Sequence, residues 1–97
     1  MQINLTGKNA LVGGSSKGIG RAIAERLAAS GANITIMARS ETLLKQLVDQ
    51  LDTQSGQQHQ YLIVDFSDFS AFRSIMEVYF KENKVDILIN NTQGPSA

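Results

Sequence analysis

A glycine-rich stretch, which reads Val12-Gly13-Gly14-Ser15-Ser16-Lys17-Gly18-Ile19-Gly20, separates a short apolar run from an amphipathic helical pattern. Glycine adopts backbone angles that are closed to other residues, and its lack of a side chain lets a ligand approach the main chain. A helix that begins directly after such a turn presents unpaired backbone N–H groups at the positive end of its dipole. The stretch therefore predicts a turn from a strand into a helix that binds a phosphate group.

The spacing of the glycines, Gly14-x-x-x-Gly18-x-Gly20, limits the kind of phosphate site. A Walker loop needs Lys and then Ser or Thr directly after its second glycine, whereas Ile19 and Gly20 follow Gly18 here. The spacing also differs from the G-x-G-x-x-G pattern of many dinucleotide-binding proteins. A tight turn without any ligand stays open as the alternative to a phosphate site.

Apolar runs and amphipathic patterns alternate along the rest of the chain. Four short runs are typical of buried strands, at residues 9–12, 33–38, 61–64 and 85–89. Helical spacing of apolar residues follows each of the first three runs, with Ser40 as the expected cap of the second helix and Ser67 or Asp68 as that of the third. Strands and helices that alternate in this way indicate a parallel sheet with right-handed crossovers. We therefore expect an α/β fold with helices on both faces of a four-stranded sheet.

Composition narrows the classes of partner. The 97 residues carry nine basic and nine acidic side chains, so charge gives no reason to expect nucleic acid or an anionic membrane as a partner. Because no cysteine is present, disulfides and thiolate metal sites are excluded, and we expect no metal site. No stretch reaches transmembrane length and the first residues lack the pattern of an export signal, so we expect a cytoplasmic location.

Residues at the carboxyl ends of the predicted strands agree with one family pattern. They are the Gly14 to Gly20 turn, Arg39 after the second strand, the pair Asp65-Phe66 after the third, and Asn90-Asn91 after the fourth. In a doubly wound sheet these ends form the ligand-binding edge. Over essentially its whole length the chain resembles the short-chain dehydrogenase/reductase family, most closely its β-ketoacyl-acyl carrier protein reductases and related carbonyl reductases. The resemblance implies strand order 3-2-1-4, with residues 1–97 as a single Rossmann-type half-domain, cut short after the fourth strand.

Matched position by position, the resemblance implies a site for NADP(H). The residues expected around the pyrophosphate and the adenosine ribose are Gly14, Ser16, Lys17, Gly18, Ile19 and Gly20. Asp65 would accept a hydrogen bond from the adenine, and Phe66 would add a backbone contact. Asn90 would approach the ribose on the adenosine side through its main chain.

Arg39 indicates a preference for NADP(H) over NAD(H). An enzyme that selects NAD usually has Asp or Glu after the second strand, where the carboxylate binds both ribose hydroxyls and repels a 2′-phosphate. The guanidinium of Arg39 offers several planar donors to that phosphate, Ser40 can add a hydroxyl and a backbone N–H, and Lys17 reaches the same region. An arginine at this position also disfavours a Rossmann methyltransferase, in which an acid usually follows the second strand.

The chain departs from the family pattern at two positions. Gly13 stands where the family usually has Thr, whose hydroxyl ties the first turn to the loop after the fourth strand by a hydrogen bond worth about 1 kcal/mol net. Gln93 stands where the family sequence N-N-A-G has glycine, which gives the cofactor room. We therefore expect the adenine side of the site to follow the family more closely than the nicotinamide side.

The catalytic Ser, Tyr and Lys of the family, the last two in a Y-x-x-x-K arrangement, lie after the fourth strand. Tyr79 is followed four positions later by Asn83 and Tyr61 by Asp65, so we assign no catalytic residue and expect the 97 residues alone to be inactive. The resemblance implies an NADP(H)-dependent oxidoreductase of the carbonyl or 3-oxoacyl reductase type, which transfers a hydride between the nicotinamide and a carbonyl or alcohol carbon. Its substrate would be a small-molecule or acyl-carrier-linked carbonyl compound, and the full-length protein would be a homo-oligomer. A non-catalytic nucleotide-binding module is the alternative.

Overall fold

The computed structural model describes residues 3–14 and 18–90, with the backbone alone at residues 18 and 19. Strands and helices alternate along this part of the chain. The strands are β1 (Asn9–Gly13), β2 (Asn33–Ala38), β3 (Gln60–Ile63) and β4 (Ile87–Asn90). The helices are α1 (Gly18–Ala29), α2 (Glu41–Gln50) and α3 (Phe69–Glu82).

The four strands form one parallel sheet in the order β3-β2-β1-β4. Leu11 of β1 lies opposite Thr35 of β2 on one side and opposite Leu88 of β4 on the other. The predicted strand order is therefore confirmed. The chain crosses from β1 outward to β3 and then returns past β1 to β4, so the crossover direction reverses once, as in doubly wound sheets.

The reversal places the helices on opposite faces of the sheet. Residues Ala10 and Val12 of β1 belong to the core cluster that includes buried residues of α1 and α2. Leu11, between them, belongs to the second cluster with Tyr79 of α3, because successive strand residues point to opposite faces. The central strands are consequently buried on both faces, and the prediction of helices on both faces is confirmed.

The helix ends follow the local sequence. Ser40 caps α2, and its Oγ accepts a hydrogen bond from the N–H of Leu43 at 3.4 Å. Asp68, one of the two predicted candidates, caps α3 by accepting from the N–H of Ala71 at 3.2 Å. Gly31, with φ of 104°, ends α1 in a left-handed conformation, and a Cβ there would lie 2.8 Å from the hydroxyl oxygen of Thr6.

β4 begins later than the apolar run at 85–89 predicted. Val85 lies outside the strand, and Asp86 binds Asn9 twice: the N–H of Asp86 donates to the carbonyl of Asn9 at 2.8 Å, and Oδ2 of Asp86 accepts from the N–H of Asn9 at 3.0 Å. A side chain thus replaces a backbone acceptor where the two strands first meet.

In the described ranges, no helix combines the length and apolar character needed to cross a bilayer.

Candidate functional site

The carboxyl ends of the four strands bring most of the predicted site residues to one edge of the sheet. Gly13, the last residue of β1, lies opposite Met37 of β2 and Asn90 of β4. Gly14 follows directly, with φ of 69°, and its N–H donates to the carbonyl of Met37 at 2.8 Å. The chain therefore leaves the sheet at a residue whose left-handed conformation favours glycine.

α1 begins four residues after Gly14. Gly18 is the first residue of α1, and Gly20 is buried in its first turn. No acidic residue occupies that first turn, so no carboxylate there opposes the positive end of the helix dipole. Among the predicted phosphate contacts, Ser16 and Lys17 lie outside the described residues, as does the side chain of Ile19.

Arg39 and Asp65 form an ion pair across the ends of β2 and β3. Nε of Arg39 lies 4.0 Å from Oδ1 of Asp65, and the side chains are 75% and 48% exposed. An exposed pair at this distance contributes little to stability, so a ligand can compete for either partner. The arrangement places one cation and one carboxylate side by side at the edge, each accessible from solvent.

The carboxylate of Asp65 is held in its charged form. The hydroxyl of Ser67 donates to Oδ1 of Asp65 at 2.6 Å, and the N–H of Ser67 donates to the same oxygen at 2.9 Å. These two hydrogen bonds, the hydroxyl first, lower the pKa of Asp65 below its ordinary value of 3.8; partial burial opposes them, and the charge of Arg39 adds to them. Ser67 was expected only as a possible cap of α3, although an aspartate often accepts a hydrogen bond from the backbone two residues on.

The start of α2 is less favourable to an anion than the start of α1. Glu41 occupies its first turn, and its Oε2 accepts a hydrogen bond from the hydroxyl of Tyr61 at 3.0 Å. Partial burial, followed by this hydrogen bond and the charge of Glu41, raises the pKa of Tyr61. Ser40 lies between Arg39 and this carboxylate, so a phosphate near Ser40 would be attracted on one side and repelled on the other.

Phe66 and Asn90 complete the predicted set at the edge. The ring of Phe66 packs against Phe72 of α3, with centroids 5.1 Å apart, and lies in the α3-side core. Phe66 and Asn90 both line an apolar groove of about 360 Å³ between α3 and the sheet. The side chain of Phe66 is thus anchored by packing, in keeping with a role through its backbone.

A second cavity, of about 340 Å³, lies at the opposite edge of the sheet, where the strands begin. Its lining is polar, but much of it is already paired: Tyr79 donates to Oγ1 of Thr35 at 2.7 Å, and Asn33 donates to Oδ1 of Asn9 at 3.0 Å. Within residues 3–14 and 18–90, no cluster of His, Asp or Glu has the arrangement of a metal site. The carboxyl edge is therefore the better candidate for ligand binding.

The chain is similar to proteins of one family over most of its length. A family model described as short chain dehydrogenase matches residues 8–95. An uncharacterized oxidoreductase, YvaG of Bacillus subtilis (strain 168), is 41% identical over 91 residues, which are 94% of this chain and 34% of that protein. The 3-oxoacyl-[acyl-carrier-protein] reductase FabG of Escherichia coli (strain K12) is 42% identical over 90 residues, which are 92% of this chain and 35% of that protein.

The solved structures include L-sorbose reductase from Gluconobacter frateurii, complexed with NADPH and L-sorbose. It superposes with a TM-score of 0.83 at 33% identity, over 99% of this chain and 37% of that chain. The chain therefore spans about a third of the length of the proteins that it matches.

Proposed function

The chain belongs to the short-chain dehydrogenase/reductase family, and on that premise we propose that it is the cofactor-binding part of an NADP(H)-dependent oxidoreductase. The observation that carries the proposal is the position of Arg39, exposed at the end of β2 and beside the carboxylate of Asp65. FabG of Escherichia coli and L-sorbose reductase are both reductases, and the structure of L-sorbose reductase is a complex with NADPH and L-sorbose.

The glycine turn and the start of α1 would hold the pyrophosphate. Gly14 turns the chain away from the sheet, and the first turn of α1, whose N–H groups lack helical partners, holds no acidic residue. Gly18 and Gly20 allow close approach of the ligand to the backbone. Ser16 and Lys17 would add polar contacts from the turn itself.

Arg39 would select the 2′-phosphate. A guanidinium binds phosphate through several donors in one plane, and the weak tie to Asp65 lets Arg39 turn toward a stronger partner. Because Glu41 repels an anion placed over α2, the phosphate would sit on the Arg39 side of Ser40. The hydroxyl of Ser40 would then be a secondary contact.

Asp65, Phe66 and Asn90 would bind the adenosine. Asp65 would accept a hydrogen bond from the amino group of adenine, since an ionised carboxylate only accepts. The backbone of Phe66 would contact the same base, and the main chain of Asn90, opposite Gly13, would approach the ribose.

When bound, the cofactor would give a hydride to a carbonyl carbon in its reduced form, or take one from an alcohol carbon in its oxidised form. The residues described above bind and orient the adenosine end of the cofactor and leave the reacting end to other parts of the protein. Tyr61 and Tyr79 lack a lysine four positions later, so the acid of the reaction would come from residues beyond these 97. The substrate would be a carbonyl compound, either free or linked to an acyl carrier. We propose that the full-length protein is a cytoplasmic homo-oligomer.

Calorimetric titration of the natural full-length protein with NADPH and with NADH tests the proposal. We expect NADPH to bind about ten- to a hundredfold more tightly, as charge-assisted hydrogen bonds to one phosphate would give. Failure of both cofactors to bind would overturn the proposal. Tight binding of NADPH without any Y-x-x-x-K sequence in the full-length protein would instead favour the non-catalytic nucleotide-binding module.

A further inference from the structure

The hydrogen bonds at Asp65 are unevenly divided between its two carboxylate oxygens. The hydroxyl and the N–H of Ser67 both donate to Oδ1, at 2.6 and 2.9 Å, and Nε of Arg39 lies 4.0 Å from the same Oδ1. In the described part of the chain, no recorded hydrogen bond or ion pair ends on Oδ2. Two hydrogen bonds and the ion pair with Arg39 thus fall on one oxygen, and the other keeps its lone pairs for a ligand.

Two bonds from one residue also fix the plane of the carboxylate. The backbone N–H and the hydroxyl of Ser67 reach Oδ1 from two directions, so rotation that moves Oδ1 away would break both hydrogen bonds. Ser67 is itself fixed between Asp65 and Asp68, because the N–H of Asp68 donates to the carbonyl of Asp65 at 3.1 Å and Asp68 caps α3. The orientation of Asp65 is therefore set by the turn into α3 and does not depend on Arg39.

We propose that Ser67 is a positioning residue that makes Asp65 read the 6-amino group of adenine through Oδ2. The inference rests on the proposed function, since it needs a cofactor whose adenine reaches this edge. When Arg39 moves toward the 2′-phosphate, its contact with Oδ1 is lost, and the two bonds from Ser67 keep the carboxylate in place. Because Ser67 holds Asp65, recognition of the base by Asp65 does not depend on the position of Arg39.

The chemistry of the base makes this orientation a source of specificity. The 6-amino group of adenine donates hydrogen bonds, whereas hypoxanthine has a 6-carbonyl that accepts them. A carboxylate oxygen fixed opposite position 6 attracts the first and repels the second. A carboxylate free to rotate would avoid the carbonyl and discriminate less.

The test compares NADPH with its analogue in which hypoxanthine replaces adenine, both titrated into the natural full-length protein. We expect the wild type to prefer NADPH by about tenfold or more. Ser67→Ala should lower that preference by about threefold to tenfold, because only the backbone N–H would remain on Oδ1, and Ser67→Thr should restore it. Ser70→Ala is the matched control, since Ser70 is an exposed serine of α3 and its removal should leave the preference unchanged.

The other outcomes separate failure of this inference from failure of the proposed function. If Ser67→Ala weakens both nucleotides equally, or leaves their ratio unchanged, Ser67 has no part in reading the base and the inference is wrong. If the wild type binds both equally well, Asp65 does not read position 6, although the proposed function survives. If the wild type binds neither, the proposed function fails as well. Ser67 is exposed, so folding of the variants should be preserved, and circular dichroism would verify this.

Discussion

Gly13 and Asn90 lie opposite each other as the last residues of β1 and β4. They flank the point where the crossovers change direction, which in open α/β sheets is where a ligand binds. The family usually has Thr in place of Gly13, and its hydroxyl ties β1 to the loop after β4. Because Gly13 pairs with Asn90, a hydroxyl at position 13 would lie beside the end of β4.

Replacing Gly13 by Thr should therefore stabilise the full-length protein relative to Gly13→Val. Both substitutions remove the conformational cost of glycine in a strand, and Val has the shape of Thr without the hydroxyl. We expect the Thr variant to exceed the Val variant by about 1 kcal/mol in the free energy of unfolding, measured with urea. A Thr variant equal to or less stable than the Val variant would mean that the hydroxyl finds no partner.

Gln57 ties the end of α1 to the loop before β3. Its side chain is 6% exposed; Nε2 donates to the carbonyl of Ala28 at 2.7 Å, and Oε1 accepts from the N–H of Ser55 at 2.8 Å. Gln57→Ala leaves both backbone groups without this partner and should cost about 1–3 kcal/mol of unfolding free energy. Gln58→Ala is the control: Gln58 is exposed and its recorded hydrogen bond uses its backbone, so the change should stay within about 0.5 kcal/mol. Equal losses in the two variants would contradict the assignment.

The fold could be predicted from the sequence because its signals are local. The run Ala10-Leu11-Val12 is uniformly apolar, as a strand covered on both faces must be, and the structure buries all three residues. Ser40 and Asp68 are helix-capping residues at the ends of helical patterns, and both cap. The strand order came from the family resemblance, which brings Gly14 and Asn90 to one ligand-binding edge.

Contacts between side chains distant in sequence could not be predicted in this way. His59 is partly buried in the structure: its Nδ1 accepts from the N–H of Ile34 at 3.0 Å, and its Nε2 lies 2.7 Å from the carbonyl of Asp52. The role of Gln57 was missed for the same reason, since its partner Ala28 is fixed by tertiary packing alone.

In the candidate site, Gly14, Arg39, Asp65 and Asn90 were predicted to share one edge and do so. Their cofactor contacts stay predictions.

Asp86 should contribute stability that is lost in acid. The N–H of Asn9, which donates to Oδ2 of Asp86, is the main cause that lowers the pKa of Asp86 below its ordinary value of 3.8; partial burial opposes this, and the charges of Lys84 and Lys8 add to it. Because the pKa is lower in the folded protein, the stabilisation is complete above the unfolded pKa and disappears as pH falls through the folded one.

Urea denaturation between about pH 3 and pH 7 measures this contribution. Asp86→Asn should lower stability near neutral pH and flatten the fall of stability in acid. Asp49→Asn, which changes an exposed carboxylate of α2, is the matched control. An unchanged profile in the Asp86 variant would show that the bond to Asn9 does not depend on the charge.

The 97-residue chain made alone should self-associate. Leu88 of β4 is 59% exposed and Phe69 of α3 is 72% exposed, both lining the apolar groove between α3 and the sheet. β4 pairs with β1 on one side, and its other edge has no strand partner in the described ranges. Leu88→Lys should reduce association in sedimentation velocity, whereas Leu43→Lys, on the opposite helical layer, should not. A monomer at all concentrations, with a cooperative melting transition, would contradict this expectation.

Arg39 should decide the choice between the two nicotinamide cofactors in the full-length protein. Arg39→Ala removes the guanidinium that would bind the 2′-phosphate, so NADPH affinity should fall by about ten- to a hundredfold, equivalent to about 1.5–3 kcal/mol, while NADH affinity changes little. Folding should be preserved, because the ion pair with Asp65 is exposed and such pairs contribute about 0–1 kcal/mol. Arg73→Ala is the control, since it removes an arginine that is 71% exposed and paired with Glu77 on α3, far along the chain from β2. Equal weakening of NADPH and NADH by Arg39→Ala would mean that Arg39 does not contact the 2′-phosphate, and the selectivity would have to arise from another cation at this edge.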